Sequence, residues 1–335
     1  MKMKYLLFIT TFFLFIGCAS NLNSNPEEID IITTDIDRFW NTVDNYDGDL
    51  SVALEENYIK PGTAGLKDFI PQRLISSSYL ASTYLENKDH YTNIRMSTMQ
   101  VDSTKKEIIK YCKLFKKIYP KAKFPDIYYV IGSRNSGGTA SKNGVLIGAE
   151  TFDDFNESIP TVIHELMHFN QSDIKFPWGS SLTQAIHEGG ADFVAGLVIG
   201  DSLRMDHENY DYGYKNEKAL WIEFKSKMQE TGEVGSKEIN KWFYGEQGEE
   251  LPMMLGYFIG HQITKSYYDK MEDKQAAVNR ILNNKFSNKL LVDSGYQVSE
   301  NIKKVSWKDA WKNDKKQIII FSIFVIATII TSPSI

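Results

Sequence analysis

The sequence predicts a helix-dominated α+β fold, with a small sheet beside one central helix and a helical C-terminal part. Three observations predict it. Segments with apolar residues three and four apart recur along the chain. β-rich runs are confined to residues 126–132 and 145–148, with a Gly/Ser/Asn stretch between them. Close behind them, His164-Glu165-Leu166-Met167-His168 lies in a segment with helix-start signals and apolar faces.

In chain order, residues 32–43 and 74–86 read as helices and 103–117 as an amphipathic one. Cys112 falls there with Ile108, Ile109, Phe115 and Ile118, so a buried free thiol is expected. The two β runs form a hairpin or adjacent strands. Ser158 is the expected N-cap of the next helix, with Pro160 in its first turn and Glu157 near its positive end. Ile163, Leu166, Met167 and Phe169 mark it as a core helix carrying a polar seam. The chain then turns through Phe176-Pro177-Trp178-Gly179, and Ser181 with Gln184 has the form of a capping box that opens a second helix. An aromatic, polar stretch at 209–214 precedes helices near 215–230, 254–270 and 273–283.

On a helix, His164 and His168 share a face from adjacent turns, the spacing that can hold a zinc ion, Zn2+. Glu165 then sits beside the metal without binding it, where a carboxylate can take a proton from water. Only six histidines occur in the chain, and two of them flank this glutamate. Hydrolytic zinc takes three protein ligands and keeps one open position. Glu188, twenty residues after His168, reads as the third ligand. Asp192, one turn beyond it, would accept a hydrogen bond from the far nitrogen of a ligand histidine. His187 points about 100° away from Glu188 and is read as structural or outer. Gly189 and Gly190 would each cost about 1 kcal/mol inside a helix, so close approach of two helices around the metal is expected there.

His164-Glu165-Leu166-Met167-His168 followed by Glu188-Gly189-Gly190-Ala191-Asp192 resembles the gluzincin class of zinc metallopeptidases, whose pattern is HExxH plus a downstream ExxxD. Within that class the chain is similar to a bacterial lipoprotein branch of zinc-dependent proteases related to gliding-motility lipoprotein B. Supporting segments are Tyr58-Ile59-Lys60-Pro61-Gly62, Gly65-Leu66-Lys67-Asp68-Phe69-Ile70, Asn135-Ser136-Gly137-Gly138-Thr139-Ala140-Ser141 and Leu255-Gly256-Tyr257-Phe258-Ile259-Gly260. The resemblance spans most of residues 35–296. It implies a gluzincin-like fold, peptide hydrolysis, and a peptide or protein substrate. It also implies that the strand before the zinc helix, residues 143–148, lines the cleft and pairs with extended substrate; a fully paired internal strand is the alternative. In gluzincins a Tyr or His from the C-terminal part stabilises the oxyanion, which makes Tyr257 and His261 the candidates here. Spacing does not choose between them, and a core tyrosine and a surface histidine are the plain alternative. An envelope assembly or motility lipoprotein that keeps the fold without turnover is the rival function, with possible envelope protein partners. Zinc amidase action on cell-wall peptides is a narrower variant.

Net charge is −5 with mixed signs, and no basic block interleaves with aromatics, so no nucleic acid partner is expected. Residues 1–17 resemble a lipoprotein signal: Lys2 and Lys4, an apolar run over 5–16, then Gly17-Cys18. Cleavage before Cys18 and lipidation of its thiol would anchor the chain to the bacterial cell envelope, at the outer membrane, with the domain outside the cytoplasm. Phe15 stands where Leu is usual for that signal, and a plain anchoring helix is the alternative. Residues 18–30 are then a tether, 31–300 the metallopeptidase domain and 301–335 a tail. The apolar run 318–330 in that tail is short of the about 20 residues that a span needs. It reads as a poorly packed tail, with a short membrane helix as the alternative.

Overall fold

The computed structural model describes residues 23–171, 180–200, 207–245 and 252–296. The signal segment, Cys18, the turn at 176–179, residues 297–300 and the tail 301–335 lie outside them. Of the tether expected over 18–30, Asn23 exchanges main-chain hydrogen bonds with Phe124, and Pro26 and Ile29 are buried. The chain therefore lies against the domain from Asn23 onward.

The sheet has four strands: β1 (Ile31–Ile32), β2 (Ile127–Val130), β3 (Gly138–Ser141) and β4 (Gly144–Gly148), in the order β1-β2-β4-β3. β1, β2 and β4 are mutually parallel, and β3 pairs antiparallel with β4. The two sequence-evident runs are thus adjacent strands, and the hairpin partner of β4 is β3. Small, polar β3 has little intrinsic strand preference, and pairing with β4 overrides it. The expectation that 143–148 is the exposed edge is corrected. β4 is buried along its length between β2 and β3, and the edge beside the central helix belongs to β3.

Helices precede the sheet: α1 (Thr34–Asn45), α2 (Leu50–Leu54), α3 (Ala64–Phe69), α4 (Ser77–Glu86), α5 (Lys88–Thr98) and α6 (Lys105–Ile118). α1 buries Ile36, Phe39, Trp40 and Val43 on one face, the period that the sequence shows. α6 does the same with Ile108, Tyr111, Cys112 and Phe115, and burial pushes the Cys112 thiol up to about 12, an inert core group. The helix expected from 74 begins only at Ser77, capped by the Ser76 hydroxyl. Ile75, at φ 72° and ψ −66°, blocks an earlier start.

After the sheet come α7 (Ser158–Asn170), α8 (Ser181–Ile199), α9 (His207–Lys227), α10 (Gly232–Ile239), α11 (Leu255–Lys270), α12 (Lys274–Leu282) and α13 (Ser287–Ser294). Register sets the layers. Tyr129, Ile147 and Gly138 are in line across the sheet, and on that face Tyr129 meets Ser158 of α7 while Gly138 abuts Thr161 and Glu165. Tyr128 faces the other way, onto α3, where only a glycine at 65 leaves room for its ring. No helix among the described residues is long and apolar enough to cross a membrane.

Candidate metal centre

α7 is buried from Ser158 to Met167, between the sheet, α6 and α8. Its start differs from the expected cap. The 3-10 turn Phe155–Glu157 runs straight into the helix, so Ser158 is the first helical residue and its hydroxyl donates back to the Phe155 carbonyl at 2.7 Å. On α8 the cap position belongs to Ser180, and no capping box forms between Ser181 and Gln184. Gln184 is used elsewhere: its amide donates to Glu188 Oε1 at 2.9 Å.

These two helices bring His164, His168 and Glu188 together. One atom from each lies within 4.8 Å of the others, an arrangement that could hold a metal ion. His168 Nε2 is 2.9 Å from His164 Nε2 and 2.9 Å from Glu188 Oε2. His164 Nε2 is 3.5 Å from the same carboxylate oxygen.

The outer hydrogen bonds test whether a cation fits. Asp192 Oδ1 lies 2.7 Å from His164 Nδ1, and a carboxylate only accepts, so His164 donates there. Gln171 donates its NH2 to the His187 carbonyl at 2.8 Å, which leaves its Oε1 to accept from His168 Nδ1 at 2.7 Å. Both Nδ1 protons are thereby committed. In the neutral histidines both Nε2 atoms carry lone pairs aimed at one another and at a carboxylate oxygen. Three acceptors converge without a donor, which suits a cation and little else.

The charge pattern agrees. Burial opposes a charge on His164, but Asp192 and Glu188 outweigh it and hold its pKa well above the ordinary value. Burial likewise opposes charge on His168, and Glu188 again prevails, so its pKa is raised. Glu188 goes the other way: despite burial, the two histidines keep it well below the usual carboxylate range. Glu165 is raised, chiefly by burial, with the histidines pulling against it. A carboxyl so shifted is nearer the working pH as a proton acceptor. His187 stacks on His168, ring centroids 4.6 Å apart, and burial with that neighbour pulls it down to about 3. It stays neutral, as an outer support.

Protons would therefore compete with a metal ion at this site. Since the metal takes neutral imidazole, binding below the raised pKa values must release protons, and zinc affinity should fall as pH falls. Without metal, the raised His164 and His168 values add stability that is complete below about pH 6.5 and fades as pH climbs through the raised values. Zinc titrations in buffers of different ionisation enthalpy will count the released protons. An affinity that is flat from pH 8 to pH 5.5 would contradict this assignment.

Sequence reasoning did not identify Tyr210, Gln171 or Gln184. The Tyr210 hydroxyl, arriving from α9, donates to Asp192 Oδ2 at 2.6 Å and fixes the carboxylate that fixes His164. Gln171 and Gln184 stand three and four residues from His168 and Glu188, so helical spacing held a signal for both. Nothing in the sequence tied Tyr210 to Asp192. Removing such outer partners costs about 10–100-fold in metal affinity. Asp192→Ala should show that loss in a competition assay with a zinc chelator, and Tyr210→Phe a smaller one.

The two oxyanion candidates part company. The Tyr257 ring lies 6.1 Å from the His164 ring, and burial with Glu188 and Asp192 nearby holds its phenol well above pH 10, hence protonated. Among the described residues its hydroxyl makes no hydrogen bond. His261 is not a surface residue: it is 7% exposed, packed against Tyr210 and Phe193 at 5.3 and 5.5 Å between centroids. The glycine expectation is corrected as well. Gly189 opens α8 to the backbone of α11, at Tyr257, Gly260 and His261, rather than to α7.

Residues 128–287 match the family described as predicted Zn-dependent protease (DUF2268). No curated protein and no solved structure matches the chain. The matched stretch runs from β2 to the first residue of α13 and holds all the residues of the centre named above; α1 to α6 lie outside it. The match supports a zinc peptidase, and the donor set on α7 and α8 fits the zinc that it implies.

Proposed function

We propose that this chain is a gluzincin-type zinc peptidase that hydrolyses peptide bonds. The observation that carries the reading is the trio of converging acceptors, His164, His168 and Glu188, with an unliganded, buried Glu165 on the same helix. When bound, zinc supplies Lewis acidity, polarising a carbonyl and bringing water to a pKa of about 7. Glu165 takes the proton of the attacking water and returns it to the leaving amine. Asp192 and Gln171 hold the two histidines in the tautomer that leaves Nε2 for the metal. Tyr257 is the better oxyanion donor of the two candidates, because its hydroxyl is protonated and, among the described residues, uncommitted, while His261 packs among rings. β3 offers its free edge next to Glu165, and an extended peptide pairs there through main-chain bonds whatever its sequence.

Lipid attachment at Cys18 and residence in the bacterial envelope, at the outer membrane, are part of the proposal and rest on the signal-like segment 1–18. Replacing Cys18 by Ser should move the protein from the membrane fraction to the soluble one. The decisive test of activity is cleavage of a peptide library by the full chain, lost with chelator and restored by zinc. No cleavage at any pH would favour an envelope scaffold related to gliding-motility lipoproteins.

A further inference from the structure

Arg73 is a cation that the centre does not explain. It lies on the π-helical turn Ile70–Leu74 that continues α3, outside the stretch that matches the zinc protease family. Its Nε is fully buried with no hydrogen-bond partner, and among the described residues its guanidinium makes no hydrogen bond or ion pair. Such a group is normally paired, because an unpaired buried donor forfeits its hydration without return.

It is within electrostatic reach of the centre. The charge of Arg73 acts on the Glu165 carboxyl and also on the phenol of Tyr244, which itself feels Glu188. The guanidinium thus lies near enough for its charge to be felt by the general-base candidate and by a half-exposed tyrosine. The segment is also held there at a cost. Ile75 closes a γ-turn, its φ of 72° and ψ of −66° lying where a β-branched residue is strained. The Ser133 hydroxyl grips the Leu74 carbonyl at 3.3 Å, and α3 is pinned to the sheet through Gly65 and the Asp68–Asn143 hydrogen bond of 2.8 Å. The strained turn and these anchors hold the segment in place, and among the described residues nothing supplies a partner for its guanidinium.

We propose that Arg73 receives a carboxylate of the bound substrate beside the bond that is cut, so that the site selects peptides carrying one there. A planar guanidinium with its donors uncommitted is matched by the two oxygens of a carboxylate. That carboxylate comes from a free C-terminus or from an acidic side chain. The proposal rests on the peptidase reading for the kind of ligand, but its test does not need turnover.

The test uses the full-length, detergent-solubilised, zinc-loaded chain in the Glu165→Gln background and calorimetric binding of N-acetylated peptide pools. One pool is made as C-terminal acids and as C-terminal amides, and another carries Asp or, in its twin, Asn. The parent should bind one acidic pool at least tenfold tighter than its neutral twin, acid over amide for a terminal carboxylate, Asp over Asn for a side chain. Arg73→Ala should bring that ratio to about one, and Arg73→Lys should keep part of it, with zinc content unchanged. If the alanine variant does not retain zinc, Arg73→Gln replaces it. Ratios near one in the parent, no binding of any pool, or a preference that survives the loss of Arg73 would overturn the proposal. If the ratio depends on Arg73 but the parent with Glu165 cleaves nothing, the hydrolytic reading fails and the carboxylate site stands.

Discussion

Glu165→Gln is expected to lower turnover by about 10²–10⁴-fold while leaving zinc in place, the range that a positioned general base contributes. The side chain keeps its length, and the contact of its Cγ with the β3 backbone near Gly138 is preserved. The glutamine cannot accept a proton at working pH, so the loss isolates proton transfer from binding. Zinc should stay because His164, His168 and Glu188 keep their mutual distances and outer partners. Two measurements on one preparation decide it: metal content by mass spectrometry and the hydrolysis rate of a cleaved peptide. Wild-type turnover in the variant would sink the mechanism. Loss of zinc would show instead that Glu165 has a part in holding the metal.

That experiment also marks how far the sequence alone could reach. The convergence of His164, His168 and Glu188 was legible because helical spacing is a strong geometric constraint. Residues four apart must share a face, and the ExxxD spacing on a second helix places Glu188 and Asp192 in the same way. Asp192 was legible as an outer partner, but not which histidine it serves. Tyr210 was illegible, since its contact joins α9 to α8 across tertiary packing that no spacing encodes. The sheet was half legible. β2 and β4 announce themselves by β-branched and aromatic residues, whereas β3 is Gly-Thr-Ala-Ser, a loop by composition that becomes a strand by pairing. With β3 illegible, the gluzincin resemblance can point only to 143–148, the β-rich run just before the central helix. Cap positions failed for a related reason: a serine one residue early or late looks equally good in one dimension, and the preceding turn chooses.

The largest effect on stability is expected at a position with no chemistry. Gly260→Ala should lower stability by about 3 kcal/mol or more, since a Cβ there would land on the Ala185 carbonyl oxygen, which is backbone and cannot rotate away. Gly189 is the reciprocal contact, facing the backbone of Tyr257, Gly260 and His261. α8 and α11 can touch this closely only because each gives up a side chain at the crossing. The consequence reaches the candidate metal centre, because Glu188 precedes Gly189 and Tyr257 stands one turn before Gly260. Pushing the helices apart moves the ligand candidate and the oxyanion candidate together. A drop in Tm of about 6 °C or more is therefore expected for Gly260→Ala, with weakened zinc binding. The control lies on α8, away from the crossing: a Cβ at Gly196 meets nothing within 4 Å. Gly196→Ala should be neutral or stabilising by up to about 1 kcal/mol, from helix propensity alone. Equal melting of the two variants would mean that the crossing of α8 and α11 is not what sets the spacing of the site.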